Sequence, residues 1–172
     1  MKRMIFLLAL LPAVALVRAQ TFQLPSDPVT HEVTYTEEVG VPGKTAREVY
    51  DKAKPFVFSD LQNVKYIRFW GDENTSRIFV HGGLPYDYGN PPDYSMTSYV
   101  YFELTVECHD GGYKYTFAKF SYDQMGTDIW TTDAETSGAG KKQKRGSRRE
   151  RKIRALIDKF VRKNIEIMKE GI

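Results

Sequence analysis

The stretch from Tyr99 to Phe117 constrains the fold most. Val100, Phe102, Leu104, Val106 and Cys108 alternate with Tyr99, Tyr101, Glu103, Thr105 and Glu107. One apolar face and one mostly polar face, at a period of two, is the pattern of an antiparallel strand with one wet side. His109-Asp110-Gly111-Gly112 follows, and Asp-Gly favours a two-residue hairpin turn in which both positions take positive φ. With Asp110 and Gly111 as that turn, Cys108 pairs with Tyr113, Val106 with Tyr115 and Leu104 with Phe117. All six then share the apolar face. A slip of one residue would expose the whole set, so pattern and turn specify one register.

The rest of the chain supplies elements for this hairpin to pack with. His31–Val39 is rich in β-branched residues and alternates, with Val33, Tyr35 and Glu37 on one face, and Gly40, Pro42 and Gly43 end it. A helix follows, with Thr45 as cap and Glu48 three residues on as in a capping box. Ala46, Val49, Tyr50, Ala53 and Val57 make its apolar face. Pro55 is expected to end or kink this helix, with Phe56, Val57 and Phe58 buried beyond it. Val64–Trp70 reads as a strand, Gly71–Asn74 as a turn, and Arg77–His81 as the returning strand, closed by Gly82-Gly83. Leu84–Tyr94 reads as a long loop with three tyrosines among its prolines. The last segment is a helix with the stripe Ile153, Leu156, Ile157, Phe160, Val161 and Met168, with Ile167 beside it, and Ser147 and Glu150 able to cap it. The order β-α-β-β-β-β-α predicts an α+β fold: one antiparallel sheet of about five strands with both helices on its apolar face.

The N-terminus sets an expected compartment. A basic start (Lys2, Arg3), an uncharged apolar run from Ile5 to Val17 and a small residue at Ala19 form a signal-peptide layout, with cleavage between Ala19 and Gln20. The run is shorter than the roughly 20 residues that span a bilayer. No cysteine follows it, so the expectation is an exported protein, periplasmic or extracellular, and not a lipoprotein. The expected divisions are residues 1–19 as signal, 20–29 as a loose leader, 30–122 as the sheet domain, 123–147 as a flexible polar and basic linker, and 148–172 as the final helix. Three of the 25 Lys and Arg residues lie in the signal, which leaves 22 against 22 Asp and Glu. Residues 141–154 hold nine bases and one acid, so an acidic body carries one basic patch. The one cysteine, Cys108, excludes an internal disulfide.

Several of these segments carry a family resemblance. The signal layout, Val33-Thr34-Tyr35-Thr36-Glu37-Glu38-Val39-Gly40-Val41-Pro42-Gly43, the helix around Glu48-Val49-Tyr50-Asp51-Lys52-Ala53-Lys54, and the strands Tyr99–Glu107 and Gly112–Phe117 resemble domain of unknown function 4468. That family is found mostly in secreted proteins of Bacteroidetes. The likeness spans roughly residues 30–122 and implies a TATA-binding-protein-like fold, a curved antiparallel sheet with two helices. Pro55-Phe56-Val57-Phe58 departs from the continuous helix with a tryptophan that the resemblance implies there. The resemblance carries no activity and no functional residues, and a shared fold does not imply DNA binding.

No catalytic arrangement stands out. His31, His81 and His109 lack the close ligand spacing of zinc sites, and they read as surface or strand-end residues, so neither a metal nor a cofactor is expected. Cys108 lies on the apolar face, where a thiol is inert, and His109 points to the opposite face. Glu37-Glu38, Asp72-Glu73, Glu103 and Glu107 offer carboxylates for hydrolysis, but an exposed face solvates such acids. The tyrosines Tyr86, Tyr88 and Tyr94 on the loop, with Tyr99 and Tyr101 exposed beside it, form a candidate contact surface for an envelope protein or glycan. Arg148, Arg149 and Lys152 are candidates for contact with an anionic surface, at most peripheral. Nucleic acid is disfavoured by export and by the lack of aromatic residues within the basic run. The chain therefore reads as a non-enzymatic binding or interaction module of the cell envelope. The alternatives are a carboxylate-based hydrolase and a peripheral membrane-surface protein.

Overall fold

The computed structural model describes residues 24–61, 63–86, 98–121 and 148–172. The elements are β1 (Tyr35–Gly40), α1 (Ala46–Ser59), β2 (Tyr66–Asp72), β3 (Arg77–Tyr86), β4 (Ser98–His109), β5 (Gly112–Ser121) and α2 (Arg148–Gly171). Every neighbouring pair of strands is antiparallel, in the spatial order β1-β5-β4-β3-β2. The centre is β4, while β1 and β2 are the edges. The expected α+β arrangement is therefore the observed one, with both helices on one face of a five-stranded sheet.

The β4–β5 hairpin has the register derived from its pattern: Cys108 opposite Tyr113, Val106 opposite Tyr115 and Leu104 opposite Phe117. All six are buried. The turn differs in one respect. Gly111 takes positive φ (82°) and Asp110 does not. The Asp110 carboxylate instead accepts from the amide of Ala46, the first residue of α1, at 2.8 Å. The Gly111 amide donates to the Lys44 carbonyl at 2.8 Å, and its carbonyl accepts from the Val41 amide at 2.7 Å. The turn is thus moulded by the β1–α1 connection as well as by strand twist.

The capping box of α1 is present: the Thr45 hydroxyl accepts from the Glu48 amide, and the Glu48 carboxylate accepts from the Thr45 amide. Val49, Tyr50, Ala53, Phe56 and Val57 are buried. Pro55 does not end the helix, which runs on to Ser59. It lies on the exposed side, where the carbonyl left without its amide partner faces water. Phe58 is 61% exposed rather than buried. It reaches past the edge of the sheet and rests on Phe69, with ring centres 4.7 Å apart.

Two glycines expected to close a strand lie inside one. β3 continues through Gly82 and Gly83 to Tyr86, so Leu84–Tyr86 is strand and not loop. A Cβ at Gly82 would stand 2.5 Å from the buried Phe102 ring, which fills that space. β2 likewise runs through Gly71 to Asp72, so the turn follows at residues 73–76. The first strand starts later than expected, at Tyr35. Before it, Leu24 and Val33 are buried and Ser26 bridges Val33, so Leu24 anchors a leader whose other described residues are mostly exposed. A bulge between Tyr101 and Glu103 places Lys119 at φ 53° and returns Phe120 to the core.

The predicted apolar stripe of α2 seats it on the sheet. Ile153, Ile157, Phe160, Val161 and Met168 are buried, with Leu156 and Ile167 partly so. Phe160 meets the rings of Phe102 and Phe117 at 5.0 and 6.3 Å. Asn164 is a buried polar member of that stripe, and its amide donates to the Phe160 carbonyl at 2.9 Å.

Candidate binding surface

The helices cover one face of the sheet, and the register defines the other. One row of this outer face crosses all five strands: Trp70 pairs with Phe79, Phe79 with Thr105, Thr105 with Thr116 and Thr116 with Thr36. Its β2 end is aromatic and its β1 end carries hydroxyls. Trp70 and Phe79 stack at 4.8 Å and 17°. That spacing matches the distance between neighbouring strands, so the two rings stand side by side on the sheet. Trp70 is nevertheless 59% exposed. Phe79 covers one face of the indole, and among the described residues no strand follows β2 in the sheet.

Charged rows flank the aromatic pair. On one side stand Asp72, Arg77, Glu107, Lys114 and Glu38, with Arg77 bound to Glu107 at 2.7 Å. On the other stand Arg68, His81 and Glu103, with Lys119 bound to Glu103 at 2.7 Å. His81 lies within β3 rather than at a strand end, and it stacks on Tyr101 at 5.8 Å and 11°.

The proposed tyrosine surface is divided by the structure. Tyr101 is buried, held between the rings of His81 and Tyr99, and is not exposed as expected. Tyr99 is half-buried on the outer face. Tyr86 pairs with Ser98, one step out of phase with Tyr99, and packs against the core on the helix side. Tyr86 therefore cannot share a surface with Tyr99 and Tyr101. Tyr88, Tyr94, Ala19, Gln20 and Ser147 lie outside the described residues, as do the side chains of Arg148 and Arg149. Lys152 is exposed on α2. The apolar stripe of that helix is buried against the sheet, so contact with an anionic surface would fall to its basic residues.

The carboxylates expected to offer acid–base chemistry are engaged. Glu37 accepts from Lys169 at 2.7 and 2.8 Å and from the Tyr115 hydroxyl at 2.7 Å, and these bonds hold it below the usual carboxylate range. Glu73 bridges Lys54 and Arg47, and it is lowered by the Lys54 bond first. Asp72 is lowered by the Thr75 hydroxyl and the Asn74 amide. Glu38 pairs with His109. Among the described residues, every carboxyl with a displaced titration is displaced downward, whereas a general acid at neutral pH needs the opposite. Cys108 is pushed up to about 12 by burial, as expected of an inert thiol. Among the described residues, no group of three or more ligating side chains converges as a metal site.

A groove between β1 and α2 is lined by Tyr35, Glu37, Tyr115, Arg162, Ile165 and Lys169, among others. Two parallel links cross beneath it. The Tyr35 hydroxyl donates to Asp158 at 2.9 Å, and Asp158 accepts from Arg162. The Tyr115 hydroxyl donates to Glu37, which accepts from Lys169. Both tyrosines are raised, first by burial and then by bonding to a carboxylate. They are neutral donors that fasten α2 to the β1 side of the sheet.

Trp70 and Phe79 were not anticipated as surface residues. The signal was available: Phe69 and Gly71 alternate with Arg68, Trp70 and Asp72, while Ile78 and Val80 alternate with Arg77, Phe79 and His81. Both aromatics fall in phase with charges.

The comparisons with known proteins agree with this geometry. The family described as a domain of unknown function (DUF4468) with TBP-like fold matches residues 35–123, the span from β1 to just beyond β5. A DUF4468 family protein from Bacteroides ovatus ATCC 8483 superposes with a TM-score of 0.52 at 18% identity, over 84% of this chain and 90% of that one. A TBP-like protein from Parabacteroides distasonis ATCC 8503 superposes with a TM-score of 0.51 at 10% identity, over 83% of this chain and 96% of that one. At such identities the likeness concerns the fold. No curated protein matches the chain. With the family's span covering the complete sheet and its first helix, the chain belongs to the DUF4468 family and has the TBP-like fold.

Proposed function

We propose that this protein is an exported, non-enzymatic interaction module of the cell envelope that docks a protein partner on the outer face of its sheet. The exposed Trp70 stacked on Phe79 carries this reading. A large aromatic held rigid by a second ring, with Arg68, His81 and Arg77 beside it, has the composition of an interface hot spot. Stacking reduces the ordering cost that the indole would otherwise meet on binding. The downward-shifted carboxylates and the buried thiol support the non-enzymatic part, and the N-terminal layout supports export.

In-cell cross-linking followed by pull-down tests the reading, with the wild type compared against Trp70→Ala and Phe79→Ala. Each variant is expected to lower recovery of the partner by about tenfold or more, the effect of losing a hot-spot aromatic. The thermal midpoint should hold for Trp70→Ala, whose side chain is mostly exposed. Equal recovery from all three proteins would remove the outer face as the contact. Capture of a saccharide with no protein would replace the protein partner by a glycan.

A further inference from the structure

The two helices cover the same face of the sheet but carry their charge differently. On α1 each base is engaged within the fold: Arg47 binds Asp51 and Glu73, Lys54 binds Glu73, and Lys52 donates to the Ile172 carbonyl. On α2, Lys152, Lys159 and Lys163 are exposed and pair with no carboxylate among the described residues. Spacings of seven and four residues put the three on one side of the helix, spread over roughly 16 Å of its axis. Ile153, Ile157, Phe160 and Val161 are buried, so this side is turned away from the sheet. Among the described side chains, the exposed acids of α2, Glu166 and Glu170, come only after Lys163. Arg151, also exposed, stands in the first turn, where a base opposes the helix dipole. An anionic surface outside the molecule would offset that cost and match the unpaired lysines.

We propose that this side of α2 docks on a lipid bilayer carrying anionic headgroups, with Lys152, Lys159 and Lys163 as its contacts. The outer face of the sheet then points away from the membrane, and Trp70 and Phe79 stay open to a partner. A surface of many mobile anions fits these residues better than one shaped ligand. Lysine offers a single charge on a flexible stem, without the planar fork by which arginine grips one phosphate or carboxylate. The groove beside α2 is lined by Arg162, Glu166 and Lys169, and not by these three lysines. With its apolar stripe turned inward, α2 inserts nothing into the lipid, so the attachment is electrostatic, reversible and sensitive to salt.

Co-sedimentation with vesicles tests this on the chain from Gln20 onward, without the apolar run that would itself enter lipid. Vesicles in which about a third of the lipid is phosphatidylglycerol should bind the protein, and vesicles of phosphatidylcholine alone should not. Salt at about 0.5 M should release it. Lys152→Gln/Lys159→Gln/Lys163→Gln should weaken binding on the order of 100-fold, about fivefold for each charge, at an unchanged thermal midpoint. Lys44→Gln/Arg47→Gln/Lys54→Gln removes the same charge from bases that are paired, and should weaken binding by less than about fivefold. Glu170→Lys, seven residues beyond Lys163 on the same side, should tighten binding about fivefold or more. Trp70→Ala should leave vesicle binding unchanged, which separates this inference from the docking function. No binding to the anionic vesicles would overturn the proposal, as would equal losses in the two triple variants or binding that salt does not release. Capture by soluble polyglutamate without capture by vesicles would replace the bilayer by an acidic polypeptide.

Discussion

The two edges of this sheet are built from opposite materials. At β1, Glu37 and Glu38 project to the two faces, and each is matched by a base or a histidine. The links from Tyr35 and Tyr115 fasten α2 beside that edge. At β2, the flanking side chains are aromatic, and two of them are mostly exposed. A charged edge fastened to a helix resists strand addition. The sheet therefore has a finished β1 side, paired with the central hairpin and fastened to α2, and an unfinished β2 side that presents aromatic rings.

The largest expected effect comes from releasing the finished side. Phe160→Ala removes the ring that meets Phe102 and Phe117 beneath α2. A cost of about 3–5 kcal/mol is expected from denaturant unfolding, as for other buried phenylalanines. A loss under 1 kcal/mol would mean that α2 does not hold the sheet. Next is Gly82→Ala on the unfinished side, where the new methyl group would press on Phe102. Overpacking of this kind costs about 1–3 kcal/mol, and a neutral result would show that β3 bends away at its glycines. Tyr115→Phe removes one donor to Glu37 and should cost about 1 kcal/mol.

Two pH effects are smaller and distinguish the groups of the finished edge. The folded value of Glu37 lies below its ordinary 4.5, so its contribution is present above that value and lost as pH falls through the lowered one. Lys169→Met should flatten this acid arm of the unfolding curve, and an unchanged arm would place the effect elsewhere. His109 moves the other way. It is raised above 6.5, first by the Asp110 carbonyl and then by Glu38. Its contribution is present below 6.5 and lost as pH rises through the folded value. Titration followed by NMR should give a midpoint above 6.5 that falls in Glu38→Gln, and an unmoved midpoint would break the pairing.

What could be read from the residues was the local and periodic part of the fold. The hairpin register followed from five alternating pairs and Asp110-Gly111, the helix start from Thr45 and Glu48, and the seat of α2 from its stripe. What could not be read depends on distant contacts. Gly82 reads as a strand breaker until the Phe102 ring is known to occupy its Cβ position. Phe58 reads as core until β2, the strand beneath it, proves to be the last one. Tyr101 reads as exposed by alternation, but His81 and Tyr99, one of them from the neighbouring strand, cover it. Trp70 was legible from its phase with Arg68 and Asp72. The run Phe69-Trp70 reads as uniformly apolar only when that phase is ignored.

Hydrogen exchange, read separately at the amides of β1 and β2, tests the contrast between the edges most directly. Protection at Tyr35–Gly40, fastened to α2 through Tyr35 and Glu37, should exceed protection at Tyr66–Asp72. Equal protection at the two strands, or greater protection at β2, would contradict the account of one finished edge and one unfinished edge.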